Sequence, residues 1–281
     1  MKAAVITSDE VMVAMKAVAI KHLDRSRAAG THYSRKAPTG KGAGAIPTPI
    51  FGSDGVGLLP DGTRVYGIGF NGTPAKTASL RKDTLVLIPD GLDDATAAAL
   101  PNAVIGSAMG LRFKAAIQPG DTVLVNGATG FTGRIAVQIA KHYGAARVIA
   151  TGRNPESLNE LAGLGADQTI SLSQADFQQV LAAIHAATPI DIVIDYLWGH
   201  SAEMILGCLK GNGGFTNFTR YVSVGSMSGD AIQLYAASLR SANLQHRRVP
   251  VSAPGPGPRS VCFSKKYYRR CCGWRRAVCS G

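Results

Sequence analysis

The stretch DTVLVNGATGFTGRIAVQIAKHYG, residues 121–144, constrains the fold more than any other part of the chain. A run of β-forming apolar residues leads into three glycines, Gly127, Gly130 and Gly133, and a helix-like segment follows at once. A strand that turns through glycines directly into a helix is the opening of a β-α-β unit. Glycines at such a turn let backbone amides approach a pyrophosphate, and the helix N-terminus adds a partial positive charge. The glycines sit three apart instead of in the G-x-G-x-x-G order, so two readings stay open: a dinucleotide cradle, or a tight strand-to-helix turn without a ligand.

The rest of the chain supplies a context for this unit. From Asp121 onward TVLVNGA, RVIATG, QTISL, DIVIDYL and RYVSVGS read as strands, and GRIAVQIAKHYG, PESLNELAGLG, DFQQVLAAIHAA and SAEMILGCLKG as the helices between them. That alternation predicts an α/β domain with a doubly wound parallel sheet. Asn154, Pro155 and Glu156 form a helix start, with an N-cap, a first-turn proline and an early carboxylate. Before this region AAVI, VMVAMKAVAI, TRVYGIGF and DTLVLIP are short β-like runs separated by clusters such as GKGAGAIPTP, which predicts an irregular, mostly β domain. A chain of 281 residues accommodates both domains.

The second strand of the unit bears on which dinucleotide would fit. A cofactor without the extra phosphate needs a carboxylate there for the ribose hydroxyls, yet the chain reads TGRN, with Arg153 at that place between Gly152 and Asn154. A guanidinium pairs with a 2′-phosphate through two parallel hydrogen bonds, which favours NADP(H) over NAD(H). The alternative is an exposed arginine at the start of a loop.

Several ordered motifs resemble one family. VLVNGATGFTGRIAVQIAKHYGAARVIATGRN, LGADQTISL, DYLWG and VSVGSMSG resemble the cofactor domain of the medium-chain dehydrogenase/reductase superfamily, nearest its quinone oxidoreductase-like branch. MKAAVI, FGSDGVG, DGTRVYG and IPDGLDDATAAALPNA are similar to that family's GroES-like catalytic domain. The resemblance runs from Met1 to about Gln245. It implies a GroES-like domain over residues 1–105 and a Rossmann domain over 106–245. It also implies an NADPH site formed by Asn126, Gly127, Ala128, Thr129, Gly130, Phe131, Thr132, Gly133, Gly152, Arg153, Asn154, Tyr196, Leu197, Gly225 and Ser226. The activity implied is zinc-free hydride transfer from NADPH to a quinone, enone or carbonyl compound, with a catalytically silent nucleotide-binding protein as the alternative.

Departures from the zinc alcohol dehydrogenases of the same superfamily carry the zinc-free expectation. Lys21 stands where those enzymes have a cysteine ligand, and Ser53 where they have a histidine; residues 1–207 contain no cysteine, which removes a structural zinc lobe as well. By the resemblance, Lys21 with Asp24, Ser53 and Tyr33 forms a candidate catalytic group, the ammonium stabilising negative charge on a reduced oxygen. The competing reading is a solvated Lys21 paired with Asp24. His142, His185 and His200 fall at helix ends and read as surface residues.

The net charge of +12 is not spread along the chain: nine of the 30 Lys and Arg, and no acid, lie in residues 247–281. Four of the five cysteines fall there too, and the family resemblance is lost at the same point. Residues 246–281, rich in Arg, Pro, Gly and Cys, read as a disordered, non-family tail of the kind a frameshift produces, with loss of the cofactor sheet's last strand or strands and of the family's dimer contact. A basic arm for single-stranded nucleic acid, with Tyr267, Tyr268 and Trp274 to stack on bases, is the rival reading of this tail. The N-terminus lacks an uninterrupted apolar run, so a cytoplasmic protein without a membrane partner, acting on a small molecule, is expected.

Overall fold

The computed structural model describes residues 7–29, 52–69, 72–209 and 217–248. They fall into two compact units, one ending at Pro101 and the other beginning at Asn102.

The first unit is built on a five-stranded antiparallel sheet of β1 (Glu10–Ala17), β2 (Asp54–Leu58), β3 (Arg64–Ile68), β4 (Thr77–Arg81) and β5 (Val86–Leu87), in the order β4-β1-β2-β3-β5. Val13, Val65 and Leu80 pack into one buried cluster. Val56 and Tyr66 form a second with Ala97 and Ala98, at the start of helix α2 (Asp94–Met109). A short helix α1 (His22–Ala28) follows β1. Lys21 is its N-cap: the Lys21 carbonyl accepts from Arg25 N at 3.1 Å, and the Asp24 carboxylate reaches back to the Lys21 N–H at 2.9 Å. This is the back-bonding half of a capping box.

The second unit alternates strand and helix throughout: β6 (Thr122–Asn126), α3 (Phe131–His142), β7 (Arg147–Gly152), α4 (Pro155–Glu160), β8 (Gln168–Ser171), α5 (Phe177–Ala187), β9 (Ile192–Asp195), α6 (Gly199–Cys208), β10 (Thr219–Ser223), α7 (Ala236–Ser241) and β11 (Leu244–Arg248). All strand pairs are parallel, in the order β11-β10-β9-β6-β7-β8. Every residue of β6 and of β9 is buried, as expected of strands covered on both faces, and this explains the apolar runs at residues 123–125 and 192–194 within them. Leu124, Ile149, Val193 and Tyr221 from four strands pack with Phe177, Leu181 and Ile205 of α5 and α6. The chain winds outward in one direction from β6 through β8, then returns to the other side of β6 at β9. The switch point between β6 and β9, where Asn126 stands opposite Asp195, is where sheets of this kind open for ligands.

One expectation is corrected at the sheet's edge. β11 pairs with β10 from Thr219 opposite Leu244 to Ser223 opposite Arg248, so a sixth strand is in place and His246–Arg248 belong to it. A parallel ladder needs backbone amides in register, not a particular side-chain pattern, and so the residues LQHRR form a strand without the apolar signature of the others. Residues 249–281, with the tail's cysteines, Tyr267, Tyr268 and Trp274, lie outside the described residues.

Candidate cofactor site

Two of the three glycines of the turn meet a steric demand and the third does not. Gly127 follows β6 at φ +85°, in the left-handed region, and a Cβ there would lie 2.8 Å from Leu197 Cγ. Gly133 lies in the first turn of α3 so near the strand end that a Cβ would lie 2.2 Å from the Gly127 carbonyl oxygen and 2.7 Å from Ala128 Cα. Gly130 is different. It is the N-cap of α3 at φ −75° and ψ 161°, and an added Cβ would meet no protein atom nearer than the Gly127 oxygen at 3.8 Å. The protein's own packing does not require glycine there, and the space over Gly130 is open.

Helix α3 begins without a capping side chain, and its first intrahelical bond is Arg134 N to Gly130 O at 2.9 Å. The amides of Phe131, Thr132 and Gly133 precede that bond, at the positive end of a 12-residue helix. Such a terminus suits a pyrophosphate. Ala128 is fully buried and donates its N–H to Thr151 O at 2.8 Å, while Phe131 is 56% exposed at the mouth of the turn. Arg134 holds the turn from behind, donating from Nε to Thr129 O at 3.2 Å and pairing with Glu160 at 2.6 Å.

At the end of the neighbouring strand β7, Gly152 lies against Thr129, whose methyl would be 2.3 Å from an added Cβ. Arg153 follows, exposed and without a hydrogen bond or ion pair to any of the described residues. Asn154 is the N-cap that the sequence indicates: its Oδ1 accepts from Ser157 N at 2.8 Å. That oxygen is therefore committed to α4.

Behind the turn lies a buried polar cluster that the sequence reading missed. Asp195, fully buried at the end of β9, accepts at Oδ1 from Asn126 Nδ2 at 2.7 Å and from the backbone amides of Leu197 and Trp198 at 2.8 and 3.1 Å. Its Oδ2 accepts from the Tyr221 hydroxyl at 2.7 Å. Asn126 also donates to Ser201 Oγ at 3.0 Å and accepts at Oδ1 from Thr151 Oγ1 at 2.8 Å. Asn126, expected to bind cofactor, thus spends its side-chain amide on the protein. Burial, then the Asp195 charge, pushes the Tyr221 phenol well above its ordinary value. The visible signal for this cluster is one charged residue ending the apolar run DIVID.

Tyr196 is buried, and its hydroxyl lies 2.7 Å from Ser107 Oγ, which in turn donates to Ala103 O at 2.9 Å. Burial raises the Tyr196 phenol far above its usual range, and the Ser107 hydrogen bond opposes this only in part. Gly225 packs on the Tyr196 carbonyl, 2.8 Å from where its Cβ would be, and the exposed Ser226 bonds Asp230 at 3.1 Å. Among the three histidines read as surface residues, His185 is corrected. It is partly buried and its Nδ1 accepts from Ile190 N at 3.0 Å, whereas His200 is exposed beside Glu203 at 3.2 Å.

In the first unit Lys21, Asp24 and Ser53 do come together, but around a carboxylate not expected there. Lys21 Nζ is ion-paired to Asp54 and lies 3.9 Å from Asp24, with only 12% of its side chain exposed. Asp54 also accepts from the Tyr66 hydroxyl at 2.5 Å and from Ser53 Oγ at 3.2 Å. Of the reading of Lys21 as solvated and paired with Asp24, the pairing is present and the solvation is corrected: the side chain is largely buried, and Asp54 is its nearer partner. With two carboxylates facing one ammonium, the cluster has no surplus positive charge for a substrate oxygen. Tyr33 lies outside the described residues. Among the described residues no group of three His, Cys, Asp or Glu side chains could hold a metal ion, and a lysine tied to an aspartate is no zinc donor.

A family model described as zinc-binding dehydrogenase matches residues 132–252, past the point where the sequence resemblance was lost. The quinone oxidoreductase of Thermus thermophilus, whose structure is also known in complex with NADPH, superposes with a TM-score of 0.71 at 26% identity, covering 88% of this chain and 73% of that one. In sequence and fold the chain is similar to the medium-chain dehydrogenase/reductase superfamily. A second member, the quinone oxidoreductase-like protein 2 homolog of Nematostella vectensis, is 30% identical over 179 residues, 63% of this chain and 47% of the relative. A phenolphthiocerol synthesis polyketide synthase of Mycobacterium marinum is 28% identical over 218 residues, 75% of this chain but only 10% of that protein's length. The superfamily's quinone oxidoreductase-like and alcohol dehydrogenase-like members are thus both among its neighbours. No helix among the described residues is long and apolar enough to cross a membrane.

Proposed function

We propose that this chain is an oxidoreductase of the superfamily that binds NADPH at the β6–α3 turn and reduces a quinone, enone or carbonyl compound without zinc. The observation that carries the reading is Gly130: a helix-capping glycine beside an uncapped helix terminus, in open space, at the sheet's switch point. The NADPH complex of the Thermus thermophilus relative supports the choice of a nicotinamide, and Arg153, exposed and without a partner among the described residues, supports a 2′-phosphate on it.

The cofactor, when bound, supplies the hydride. The chain's residues provide the rest. Amides at the start of α3 would take the pyrophosphate, and Arg153 the ribose phosphate. Leu197 fixes the shape of the turn from below by packing on Gly127. The buried Lys21–Asp54 pair is assigned to the integrity of the first unit and not to the chemistry, because its charges are answered within the protein.

Calorimetric titration with NADPH and NADH tests the reading. The parent chain is expected to bind NADPH more tightly, and Arg153→Ser to lose roughly ten- to a hundredfold in NADPH affinity, the worth of a charge-assisted contact, with NADH binding unchanged. Tighter binding of NADH by the parent, or no effect of the substitution, would remove the assignment of the phosphate to Arg153. Absence of binding to either dinucleotide would remove the function.

A further inference from the structure

We infer that Asp195 is a positioning residue for the dinucleotide turn, an inference that rests on the cofactor reading above. The carboxylate touches neither the turn's glycines nor any open surface, being fully buried. Its reach is indirect and runs along two routes. Through Asn126 it sets the last residue of β6, and Asn126 in turn is bonded by Thr151 near the end of β7, whose hydroxyl also lies 3.4 Å from Gly127 N. Two strand ends and the first glycine are thereby tied to one charge.

The second route passes through the chain's own continuation. By accepting from the Leu197 and Trp198 amides, Asp195 folds the segment after β9 back on itself. Trp198 is held at φ +56° and ψ −155°, a conformation unfavourable for a bulky residue, and Gly199 follows at φ +58°. A strained tryptophan persists only where its surroundings over-determine it, and the carboxylate supplies two of those constraints. The result is that Leu197 lies directly under Gly127.

Tyr221 bonds the other oxygen, on the β10 side away from the turn. It therefore provides an internal control. Removing its hydroxyl costs the cluster a hydrogen bond of similar burial but leaves both routes to the turn intact.

Asp195→Asn, Thr151→Val and Tyr221→Phe are compared in the full chain by NADPH calorimetry, thermal midpoint and amide hydrogen exchange without ligand. Asparagine matches the carboxylate in shape, and its amide can donate to the Tyr221 oxygen. The expected result is that Asp195→Asn binds NADPH roughly tenfold or more weakly, the size of one lost charge-assisted hydrogen bond. Thr151→Val is expected to weaken binding in the same direction, and Tyr221→Phe to leave affinity unchanged although its midpoint falls. Exchange in Asp195→Asn should quicken over residues 126–133 and 196–199 while β7 and β8 stay protected. Exchange that quickens evenly across the sheet, or affinity loss equal in Tyr221→Phe, would reduce Asp195 to a general stabiliser and overturn the inference. Should Asp195→Asn not fold, Thr151→Val with unaltered affinity would overturn it as well. If the parent chain binds no dinucleotide the functional reading falls and this inference with it, whereas parent-like binding by Asp195→Asn would sink the inference alone.

Discussion

Replacing Gly133 by alanine sets two effects of opposite sign against each other. Alanine is favoured over glycine inside a helix by about 1 kcal/mol. Against this, the new methyl would lie 2.2 Å from the Gly127 oxygen and 2.7 Å from Ala128 Cα, both backbone atoms that cannot swing aside. Ordinary contact needs roughly 3.5 Å, so α3 and the end of β6 must separate by about 1 Å. Overpacking of this kind costs about 1–3 kcal/mol, and a backbone-on-backbone clash belongs at or beyond the upper end. The net expectation is a loss of about 2 kcal/mol, a fall in thermal midpoint of roughly 4–8 °C for a chain of this size, with NADPH affinity reduced as well. Circular dichroism melts with and without NADPH measure both. Gly130→Ala is the companion: with nothing nearer than 3.8 Å it should cost under about 1 kcal/mol, the penalty of alanine at an N-cap, yet abolish tight binding. A Gly133→Ala midpoint equal to or above that of the parent would refute the steric reasoning.

Two further outcomes follow from buried charge. Lys21→Met leaves Asp54 without its cation and should destabilise the first unit by about 3–5 kcal/mol, while Lys21→Met combined with Asp54→Asn should recover much of that loss; urea melts of the four proteins in the cycle check it. Turnover of the double variant close to the parent's would agree with a structural pair, and its abolition would return Lys21 to the chemistry. His185 is held below the usual imidazole value of 6.5 by burial, which Asp191 only partly opposes. The unfolded chain therefore takes up this proton first. Stability from the neutral ring is complete above the unfolded value and is lost as pH falls through the folded one. Protonation also deprives Ile190 N of its acceptor. Midpoints measured from pH 7 down to 5 should fall less steeply in His185→Asn than in the parent.

The second unit was legible because its strands announce themselves. β6 and β9 are covered on both faces, so their residues 123–125 and 192–194 are apolar without interruption, and the helices between them carry amphipathic spacing or, at Asn154, an explicit cap. The helix α2 was not legible: DATAAALPNAVIGSAM has no polar face and contains Pro101, so periodicity gives no signal and the proline argues against a helix. β11 was missed for the opposite reason, since LQHRR is polar and takes its form from the β10 ladder. In the site, Gly127 and Gly133 were readable because steric need leaves only one residue type. The partners of Asn126 and Lys21 were not, because Asp195 lies 69 residues from the first and Asp54 33 from the second, and no local pattern encodes such contacts.

The seam between β6 and β9 has a consequence for synthesis. β6 leaves the ribosome some seventy residues before the strand that covers its open side, since Asn126 and Asp195 are 69 positions apart. Until then its free edge, with the Asn126 amide unanswered, is a surface on which other nascent chains can stick. The half-unit β6–β8 is thus a vulnerable passage in biogenesis, and a pause in translation before residue 195 should feed aggregation or chaperone capture.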